Sequence, residues 1–535
     1  MPTLQFKGKN IIWNHHLAVP FHTLDEVPEL HYQPEKANGN MIIEGDNLVA
    51  LKALLPQFAG RIKCVCIDPP YNTGNDNGQG NGWIYNDNVN SPLIKDWIGK
   101  EVGIEDLTKH DKWLCMMTPR IKLLRDLLSD EGVIFVFCDD NEQYSLRSIL
   151  NEIFGEDNFL ANIIWQHSIQ AKGYSDKFSL HHNHLLMYQK TEQFGLKTLE
   201  RTEEHNKNYS NPDNDPNGDW RTGDIRNSLY RPNLIYDIKT PSGKTISPPS
   251  NGWRFSKETM NKKIESKQII FNQDETRLIF KIYLKDVKGR VPETIWFGKD
   301  VGTTRDGKNV LKELFDGVAP FETPKPIEII KRIIEISTEE YDYVLDSYSG
   351  SGTTMHALFD YNKTNEKFLS CIMIQMPENS EAEPDKNICK DITRERVKRA
   401  IDKYGYDSGF KYFRLGIPLD AETMLAGQLP TYNQFAKYVY YLCTGENLED
   451  ENKIKEKDFF VGEYGKQAIY LVHKQDYETL ARLALNLTLA EKIKEQQPGK
   501  KRIVYAPSCF LDEEYLTDNQ IEYVGIPYNL FQRNQ

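Results

Sequence analysis

The stretch Val65-Cys66-Ile67-Asp68-Pro69-Pro70-Tyr71-Asn72 sets the fold prediction for the chain around it. The apolar run at 62–67 predicts a buried strand, which the double proline ends. Because Pro70 biases Pro69 away from the helical region, the chain turns an extended corner at the carboxyl end of that strand. Open α/β sheets place their ligands at such ends. The stretch therefore predicts a ligand-binding corner in an α/β fold.

The side chains at this corner suit a flat guest that carries an exocyclic amine. The Asp68 carboxylate and the Pro69 carbonyl can accept the two amine hydrogens, and the Tyr71 ring can stack on a planar heterocycle. Asp68, Pro69, Pro70 and Tyr71 are therefore the predicted catalytic residues. A plain proline turn after a strand is the alternative interpretation of the same four residues.

Length and charge limit the classes of protein that fit. A chain of 535 residues is long enough for two to four domains. Its net charge of −12 argues against a surface that is basic throughout, yet residues 165–300 carry 22 Lys and Arg against 17 Asp and Glu, a local net of +5. The eight cysteines show no paired metal spacing. No signal peptide opens the chain and no apolar run is long enough to cross a bilayer, so we expect a cytoplasmic protein with no membrane partner.

A second turn, from Val344 to Thr354, is rich in small residues. Apolar residues lead into Asp346, Gly350 and Gly352 form a Gly-x-Gly turn, and a helical pattern follows. Glycines at such a turn let a nucleotide approach the backbone closely. Because no lysine follows the glycines, the turn is not a phosphate loop, and an adenosine derivative without a polyphosphate is the favoured ligand.

The segments around the first corner fit the same fold. Residues 41–44 predict a strand, Asp46 the N-cap of a helix that ends by Gly60, and residues 72–90 a loop over the site. Residues 113–128 predict a helix and residues 132–138 another buried strand. Helix capping explains Asp139 or Asp140 after that strand. A zinc site at His181-His182-Asn183-His184 is not adopted, because no Cys or acidic residue is suitably spaced in the sequence.

Residues 160–300 differ in character from the rest of the chain. Within residues 203–252, Asn, Asp, Pro, Gly and Ser are dense, and Trp and Tyr side chains alternate with arginines. This composition suits contact with a nucleic-acid backbone and bases, and a loop-rich insertion is the alternative. The candidate DNA-binding residues are Arg221, Arg226, Arg231 and Arg254.

Together the two turns resemble the amino-methyltransferases of DNA that use S-adenosylmethionine. Asp68-Pro69-Pro70-Tyr71 is similar to their catalytic motif IV, and Tyr348-Ser349-Gly350-Ser351-Gly352 to their cofactor motif I, in which Phe usually stands at the place of Tyr348. Thr323-Pro324-Lys325-Pro326 is similar to motif X. Residues 68–75, 85–87, 132–142, 302–315, 375–378 and 391–396 resemble signatures of the Mod subunits of type III restriction–modification systems.

The resemblance covers roughly residues 35–416 and implies the architecture of the chain. We expect an α/β fold with a Rossmann-like methyltransferase sheet, in the circularly permuted motif order of the β class, and an inserted DNA-recognition domain. The tail from residue 417 resembles the family less, and its apolar runs at 468–472 and 503–505, with a helical pattern near 477–489, predict a small C-terminal α/β appendage. The implied divisions are an N-terminal arm (1–40), a catalytic half (41–160), a target recognition domain (161–300), a cofactor half (301–416) and a C-terminal domain (417–535).

The same resemblance implies the activity: transfer of a methyl group from S-adenosylmethionine to N6 of a flipped-out adenine in double-stranded DNA, with no metal required. The alternatives are methylation of cytosine N4 and a non-catalytic DNA-specificity subunit on the same fold. The implied assembly is a homodimer, with a restriction (Res) subunit as a possible partner. The strand after motif I ends in Gln375, with Glu378 three residues later, and either could hold the ribose. The expected cofactor-binding residues are Asp46, Lys325, Pro326, Asp346, Tyr348, Gly350, Gly352, Thr353, Thr354, Gln375 and Glu378.

Overall fold

The computed structural model describes residues 3–72, 109–171, 178–378, 385–448 and 450–526. Most of the loop predicted at 72–90 lies outside these ranges. The described chain divides into two compact units, one formed by residues 1–196 with 293–535 and the other by Lys197–Pro292. Across the described ranges, we find no helix with both the length and the apolar character that a bilayer crossing demands.

The strands are numbered along the chain. The first part of the chain forms β1 (His22–Glu26), β2 (Met41–Glu44), β3 (Ile62–Ile67), β4 (Leu128–Cys138), β5 (Phe159–Gln166) and β6 (His182–Gln189). The central part forms β7 (Trp220–Gly223), β8 (Ile238–Lys239), β9 (Thr245–Ile246), β10 (Ile269–Phe271), β11 (Leu278–Tyr283) and β12 (Ile295–Trp296). The last part forms β13 (Tyr343–Asp346), β14 (Ser370–Gln375), β15 (Lys411–Pro418), β16 (Phe460–Tyr464), β17 (Gln467–Leu471), β18 (Lys501–Ala506) and β19 (Ile521–Gly525).

The helices of the described residues are numbered in the same way. Those before the central part are α1 (Lys9–Ile12), α2 (His15–Ala18), α3 (Asn47–Phe58), α4 (Lys109–Leu127) and α5 (Gln143–Phe154). The next are α6 (Glu203–Asn206), α7 (Lys257–Glu265), α8 (Gly298–Val301), α9 (Thr304–Leu314), α10 (Ile327–Ser337) and α11 (Thr353–Asn365). The last are α12 (Glu395–Tyr404), preceded by a π-helical turn at Cys389–Arg394, α13 (Ala421–Leu425), α14 (Tyr432–Thr444), α15 (Tyr477–Leu480), α16 (Leu487–Gln496) and α17 (Glu513–Asp518). Short 3₁₀ turns lie at Pro28–Leu30, Pro34–Lys36, Glu156–Asn158, Pro232–Leu234, Leu284–Asp286, Glu451–Lys453 and Glu456–Asp458.

One large sheet organises the first unit. Among the described residues it has ten strands, in the order β1-β15-β2-β14-β13-β3-β4-β6-β5-β12. The six strands from β15 to β4 are parallel to their neighbours, and β6 then pairs antiparallel with both β4 and β5. From β13 the chain passes through α11 to β14 on one side, whereas from β3 it continues to β4 on the other. The junction of β13 and β3 is therefore the topological switch point, where α/β sheets bind ligands.

The local predictions for this unit are largely confirmed. The strands at 41–44, 62–67 and 132–138 are present, the last as part of the longer β4, and the predicted helix at 113–128 is α4. Asp46 caps α3, because its carboxylate accepts a hydrogen bond from the Val49 amide at 3.1 Å. The N-terminal arm also contributes an edge strand, since β1 pairs antiparallel with β15.

The unit at 197–292 has its own small core and sheet. Strands β10, β11 and β7 form an antiparallel sheet, and Trp253, Met260 and Phe280 are buried against it. Its 18 Lys and Arg against 13 Asp and Glu give a net charge of +5. Strands β5 and β6 belong to the large sheet, although the predicted recognition domain began at residue 161.

The tail forms a separate sheet. Strands β16, β17, β18 and β19 pair in that order, with β17, β18 and β19 parallel. The helical pattern predicted near 477–489 is two helices, α15 and α16, because Asn486 interrupts the pattern and caps α16. The C-terminal segment is therefore an α/β element, as its apolar runs predicted.

Candidate active site

The two predicted turns lie side by side at the switch point. Asp68 follows β3 and Asp346 ends β13, and these strands are adjacent and parallel, so both carboxylates emerge at the same edge of the sheet. A cleft of about 1140 Å³ opens there and is lined by residues of both turns. Because the strands are 275 residues apart in sequence, only the sheet order brings the turns together.

The Asp68 carboxylate has a cation on one oxygen and a hydroxyl on the other. Lys325 Nζ forms an ion pair with Asp68 Oδ2, and Tyr71 donates its hydroxyl to Asp68 Oδ1 at 2.7 Å. Burial, followed by the charge of Asp68, raises the pKa of Tyr71 well above its usual value, so this hydroxyl keeps its proton. Lys325 was expected to contact the cofactor, and sequence reasoning did not foresee its contact with Asp68.

Aromatic rings surround the Lys325 ammonium. Its Nζ lies 5.0 Å from the ring centroid of Phe137, 5.4 Å from that of Tyr71 and 5.8 Å from that of Trp165. Cation–π attraction at these distances stabilises the ammonium without a second carboxylate. All four side chains line the cleft. The cleft therefore presents flat ring faces around one charged pair.

Buried hydrogen bonds hold the Asp-Pro-Pro-Tyr corner in place from behind. Trp113 donates its indole N–H to the Pro70 carbonyl at 2.7 Å. The Asn72 amide donates to the fully buried Glu142 carboxylate, which also bonds His110 Nδ1 at 2.7 Å. Proline supplies no amide of its own, so these side chains fix a corner that lacks ladder hydrogen bonds.

The second turn is organised by the Asp346 carboxylate. Thr354 donates its hydroxyl to Asp346 Oδ2 at 2.5 Å, and the Tyr348 amide donates to Oδ1 at 3.0 Å. Burial nevertheless raises the pKa of Asp346 to about 7. The turn therefore contains a carboxyl that is easily protonated near neutral pH.

The glycines of the turn adopt conformations that other residues rarely take. Gly350 has φ +48° and Gly352 has φ +79°. A Cβ on Gly350 would lie 2.9 Å from the ring of Phe321, and one on Gly352 would lie 2.9 Å from the Thr393 carbonyl oxygen. A side chain at Gly352 would therefore meet backbone, whereas one at Gly350 would have to displace the Phe321 ring.

A buried arginine supports this turn from below. Arg396 donates from Nη1 to the hydroxyls of Ser351, at 2.7 Å, and Thr353, at 2.6 Å. Burial lowers the pKa of Arg396 to about 9. Arg396 was not among the predicted site residues, although it ends the 391–396 run that carried part of the resemblance.

The candidate ribose-binding residues differ in their surroundings. The Gln375 amide accepts from the Gly350 N–H at 2.7 Å and donates to Glu378 Oε1 at 2.9 Å, so it braces the turn. Glu378 lines the cleft, and burial raises its pKa. Among the described residues, Asp46, Pro326, Gly352 and Gln375 do not line the cleft, whereas the other predicted cofactor residues do.

The four predicted DNA-binding arginines are all exposed residues of the 197–292 unit. Three of them already have partners there. Arg221 Nε donates to the Tyr209 hydroxyl at 2.9 Å, and Arg226 pairs with Asp224 at 3.1 Å. Arg254 donates from Nη1 to the Asp224 carbonyl at 3.5 Å. Arg231 belongs to the same unit. Their role in binding DNA stays a prediction.

Comparisons with known proteins agree with this geometry. A family model described as DNA methylase matches residues 62–399, more than half of the chain. The StyLTI type III Mod subunit of Salmonella typhimurium is 30% identical over 73% of this chain and 63% of its own length. The EcoP15I type III Mod subunit of Escherichia coli is 29% identical over 74% of this chain and 68% of its own length.

The match to a further relative covers a larger share of that relative's own length. The type II methyltransferase M.KpnI of Klebsiella pneumoniae is 30% identical over 62% of this chain and 79% of its own length. The chain thus spans less than two thirds of the StyLTI subunit but most of M.KpnI. The matched family region begins at β3 and ends in α12, so it contains the Asp68 corner and the Asp346 turn together. The cleft is built from these two turns, and the family match covers both of them. The chain therefore belongs to the DNA methylase family.

Proposed function

We propose that the chain transfers a methyl group from S-adenosylmethionine to N6 of an adenine in DNA. The observation that carries this proposal is the position of Asp68 and Tyr71 on the same cleft as the Asp346–Thr354 turn. One turn offers an acceptor and a ring for a planar amine. The other offers a glycine turn with a buried carboxyl for an adenosine derivative.

The cleft fits the proposed cofactor. Its volume of about 1140 Å³ exceeds the usual range of single-ligand pockets, leaving room for a cofactor and a base together. Phe321 offers a ring face beside Gly350, and the Glu378 carboxylate can accept hydrogen bonds from ribose hydroxyls. The Asp346 carboxylate would be available to a positively charged group of the bound cofactor. S-adenosylmethionine supplies an electrophilic methyl group on that sulfonium.

The residues of the chain act on the target amine. Its nitrogen is a poor nucleophile because its lone pair is delocalised into the ring. Asp68 and the Pro69 carbonyl would accept hydrogen bonds from its two N–H groups, which favours the more tetrahedral nitrogen of the transition state. As the N–C bond forms and the S–C bond breaks, the cofactor would leave as S-adenosylhomocysteine and the nitrogen would lose one proton to solvent. Tyr71 would stack on the flipped base and hold it in line for transfer. The amine competes with Lys325 for Asp68, so the lysine must exchange its ion pair when the base enters.

We further propose that the chain is a modification subunit acting on double-stranded DNA. Its relatives include two type III Mod subunits, and the 197–292 unit has a net charge of +5 within an acidic chain. Phosphate contacts from Arg221, Arg226, Arg231 or Arg254 would place this unit on the duplex. We propose a homodimer in the cytoplasm, with a Res subunit as a possible partner.

Mass analysis of nucleosides tests the activity. Duplex DNA of mixed sequence is incubated with the protein and methyl-labelled S-adenosylmethionine, then digested and separated. We expect labelled N6-methyl-2′-deoxyadenosine, and none with Asp68→Ala. Labelled N4-methyl-2′-deoxycytidine would establish the rival target, although enzymes of that kind more often carry Ser at the position of Asp68. DNA binding without any labelled nucleoside would favour a non-catalytic specificity subunit.

A further inference from the structure

A cluster of two histidines and one aspartate lies on the described part of the first unit, and none of the three side chains is among those that line the cleft. His184 Nε2 is 2.9 Å from Asp140 Oδ1, and His182 Nε2 is 4.0 Å from the same oxygen. The candidate ligand atoms of the three side chains all lie within 4.8 Å of one another. The acidic partner that the sequence did not show near the histidines is therefore supplied by another strand.

Sheet pairing explains why the three residues meet. Strand β6 runs antiparallel to β4, and His184 is directly opposite Cys138. Asp140 lies two residues beyond that point, where β4 has ended. His182 and His184 share one face of β6 because strand side chains alternate, and Asn183, on the other face, lines the cleft.

The capping role predicted for Asp139 or Asp140 is wrong. The N-cap of α5 is Glu142, and no side chain caps that helix. Asp139 instead bonds the Asn141 amide at 2.9 Å within the turn, while Asp140 points to the histidines. Helix formation therefore does not explain the position of the Asp140 carboxylate.

A neighbouring amide orients one of the histidines. Asn162 Oδ1 lies 3.2 Å from His184 Nδ1. Because an amide oxygen only accepts, Nδ1 donates to it, and this contact holds the ring with Nε2 towards Asp140. Histidines that bind metals are oriented in this way, with the second ring nitrogen donating to an oxygen. The cluster thus has a supporting contact as well as ligands.

The distances suit a small transition-metal ion. Zn²⁺ binds imidazole nitrogen and carboxylate oxygen at about 2.0–2.2 Å in a tetrahedron, which puts neighbouring ligand atoms about 3.4 Å apart. The observed separations of 2.9 and 4.0 Å lie on either side of that value. Two nitrogens and one oxygen favour Zn²⁺ over Mg²⁺ or Ca²⁺, which prefer oxygen ligands. The Asp140 side chain is 57% exposed, so an ion has access.

We propose that His182, His184 and Asp140 form a binding site for Zn²⁺ or a similar divalent ion, with a water as the fourth ligand. The ion would tie the beginning of β6 to the turn after β4. Asn183, between the two histidines on β6, lines the cleft. We infer that the site is structural and stabilises this wall of the cleft. It is independent of methyl transfer.

Cobalt titration tests the site without any assay of activity. The full chain is treated with a chelator, dialysed and titrated with Co²⁺, whose visible absorption reports tetrahedral nitrogen and oxygen ligation; Zn²⁺ is then added as a competitor. We expect one equivalent of Co²⁺ to bind, Zn²⁺ to displace it, and the melting temperature to rise with Zn²⁺. An absent spectrum, or several weak equivalents, would mean that the three side chains form only a histidine–aspartate ion pair.

Matched variants identify the ligands. His184→Ala and Asp140→Asn should each weaken Co²⁺ binding at least tenfold, the second without a folding defect because Asp140 is on the surface. His181→Ala is the control, since His181 neighbours the cluster but bonds Ser179 instead. Equal loss in the His181 variant, or full binding by both the His184 and Asp140 variants, would overturn the assignment.

Discussion

At the scale of single residues, the Asp68 carboxylate has to serve two partners in turn. It is paired with Lys325 and is proposed to accept the target amine during transfer. Removing the carboxylate leaves three aromatic rings beside the Lys325 ammonium, which still stabilise it. The fold should therefore tolerate the change while the chemistry does not.

We predict that Asp68→Ala lowers the methylation rate at least a thousandfold and leaves affinity for S-adenosylmethionine within about threefold. Calorimetry measures the affinity, and transfer of labelled methyl groups measures the rate. Lys325→Met should not change the methylation rate and the cofactor affinity in the same way as Asp68→Ala, because it frees the carboxylate but removes a cation from the cleft wall. A rate for Asp68→Ala near that of the unaltered chain would remove Asp68 as the amine acceptor.

The raised pKa of Asp346 gives a second prediction at this scale. The folded chain holds this proton more tightly than the unfolded chain, so the stabilisation is complete below pH 4 and is lost as pH rises through about 7. A shift of three pKa units corresponds to about 4 kcal/mol at most. Asp346→Asn keeps an acceptor for the Tyr348 amide and carries no charge.

We therefore expect the ligand-free Asp346→Asn chain to gain stability relative to the unaltered chain as pH rises from 5 to 8. Thermal melts across that range measure the difference. Exposed Asp518, changed to Asn, is the control and should leave the pH profile unchanged. Parallel profiles for the unaltered and Asp346→Asn chains would show that Asp346 ionises normally in the folded protein.

At the scale of elements, a substitution in the Gly350 turn tests whether backbone strain or the lack of space for a side chain governs cofactor binding. Gly350→Ala meets both a positive φ and the Phe321 ring at 2.9 Å, whereas Gly427→Ala meets a positive φ of +85° with open space. We predict that both variants fold. The Gly350 variant alone should lose at least tenfold in affinity for S-adenosylmethionine by calorimetry. Equal affinities would separate this turn from the cofactor.

The same elements separate what the sequence predicts from what it cannot. Apolar runs located β2, β3 and β4, and a single side chain, Asp46, located the start of α3, because these features depend on near neighbours. The Lys325–Asp68 pair joins residues 257 positions apart, and Asp140 meets His184 across 44. Such contacts depend on the order of strands in the sheet, which no local pattern contains. The resemblance supplied the two turns but not their partners.

At the scale of the whole molecule, the proposed homodimer predicts a division of labour between chains. One copy's 197–292 unit would bind the site while the other copy's Asp68 corner methylates. An Asp68→Ala chain and an Arg231→Glu, Arg254→Glu chain should each be nearly inactive alone, the second through weaker phosphate contacts. Their mixture should regain methylation, measured with labelled cofactor. No recovery in verified mixed dimers would mean that each chain recognises and methylates by itself.

The two ends of the 197–292 unit are paired with each other, and this has a consequence for how the DNA sequence that the protein recognises can change. Leu199 and Arg290 exchange both backbone hydrogen bonds, at 2.8 and 2.9 Å, so the segment between them begins and ends at one point. Such a hairpin-like base needs only a tight turn to close it. A chain in which residues 200–289 are replaced by Asn-Gly should keep cofactor affinity and lose DNA binding, as calorimetry and gel shift would measure. The segment would then be a transplantable cassette, and a relative's cassette joined at the same two residues would give this protein a new target sequence in a single recombination event.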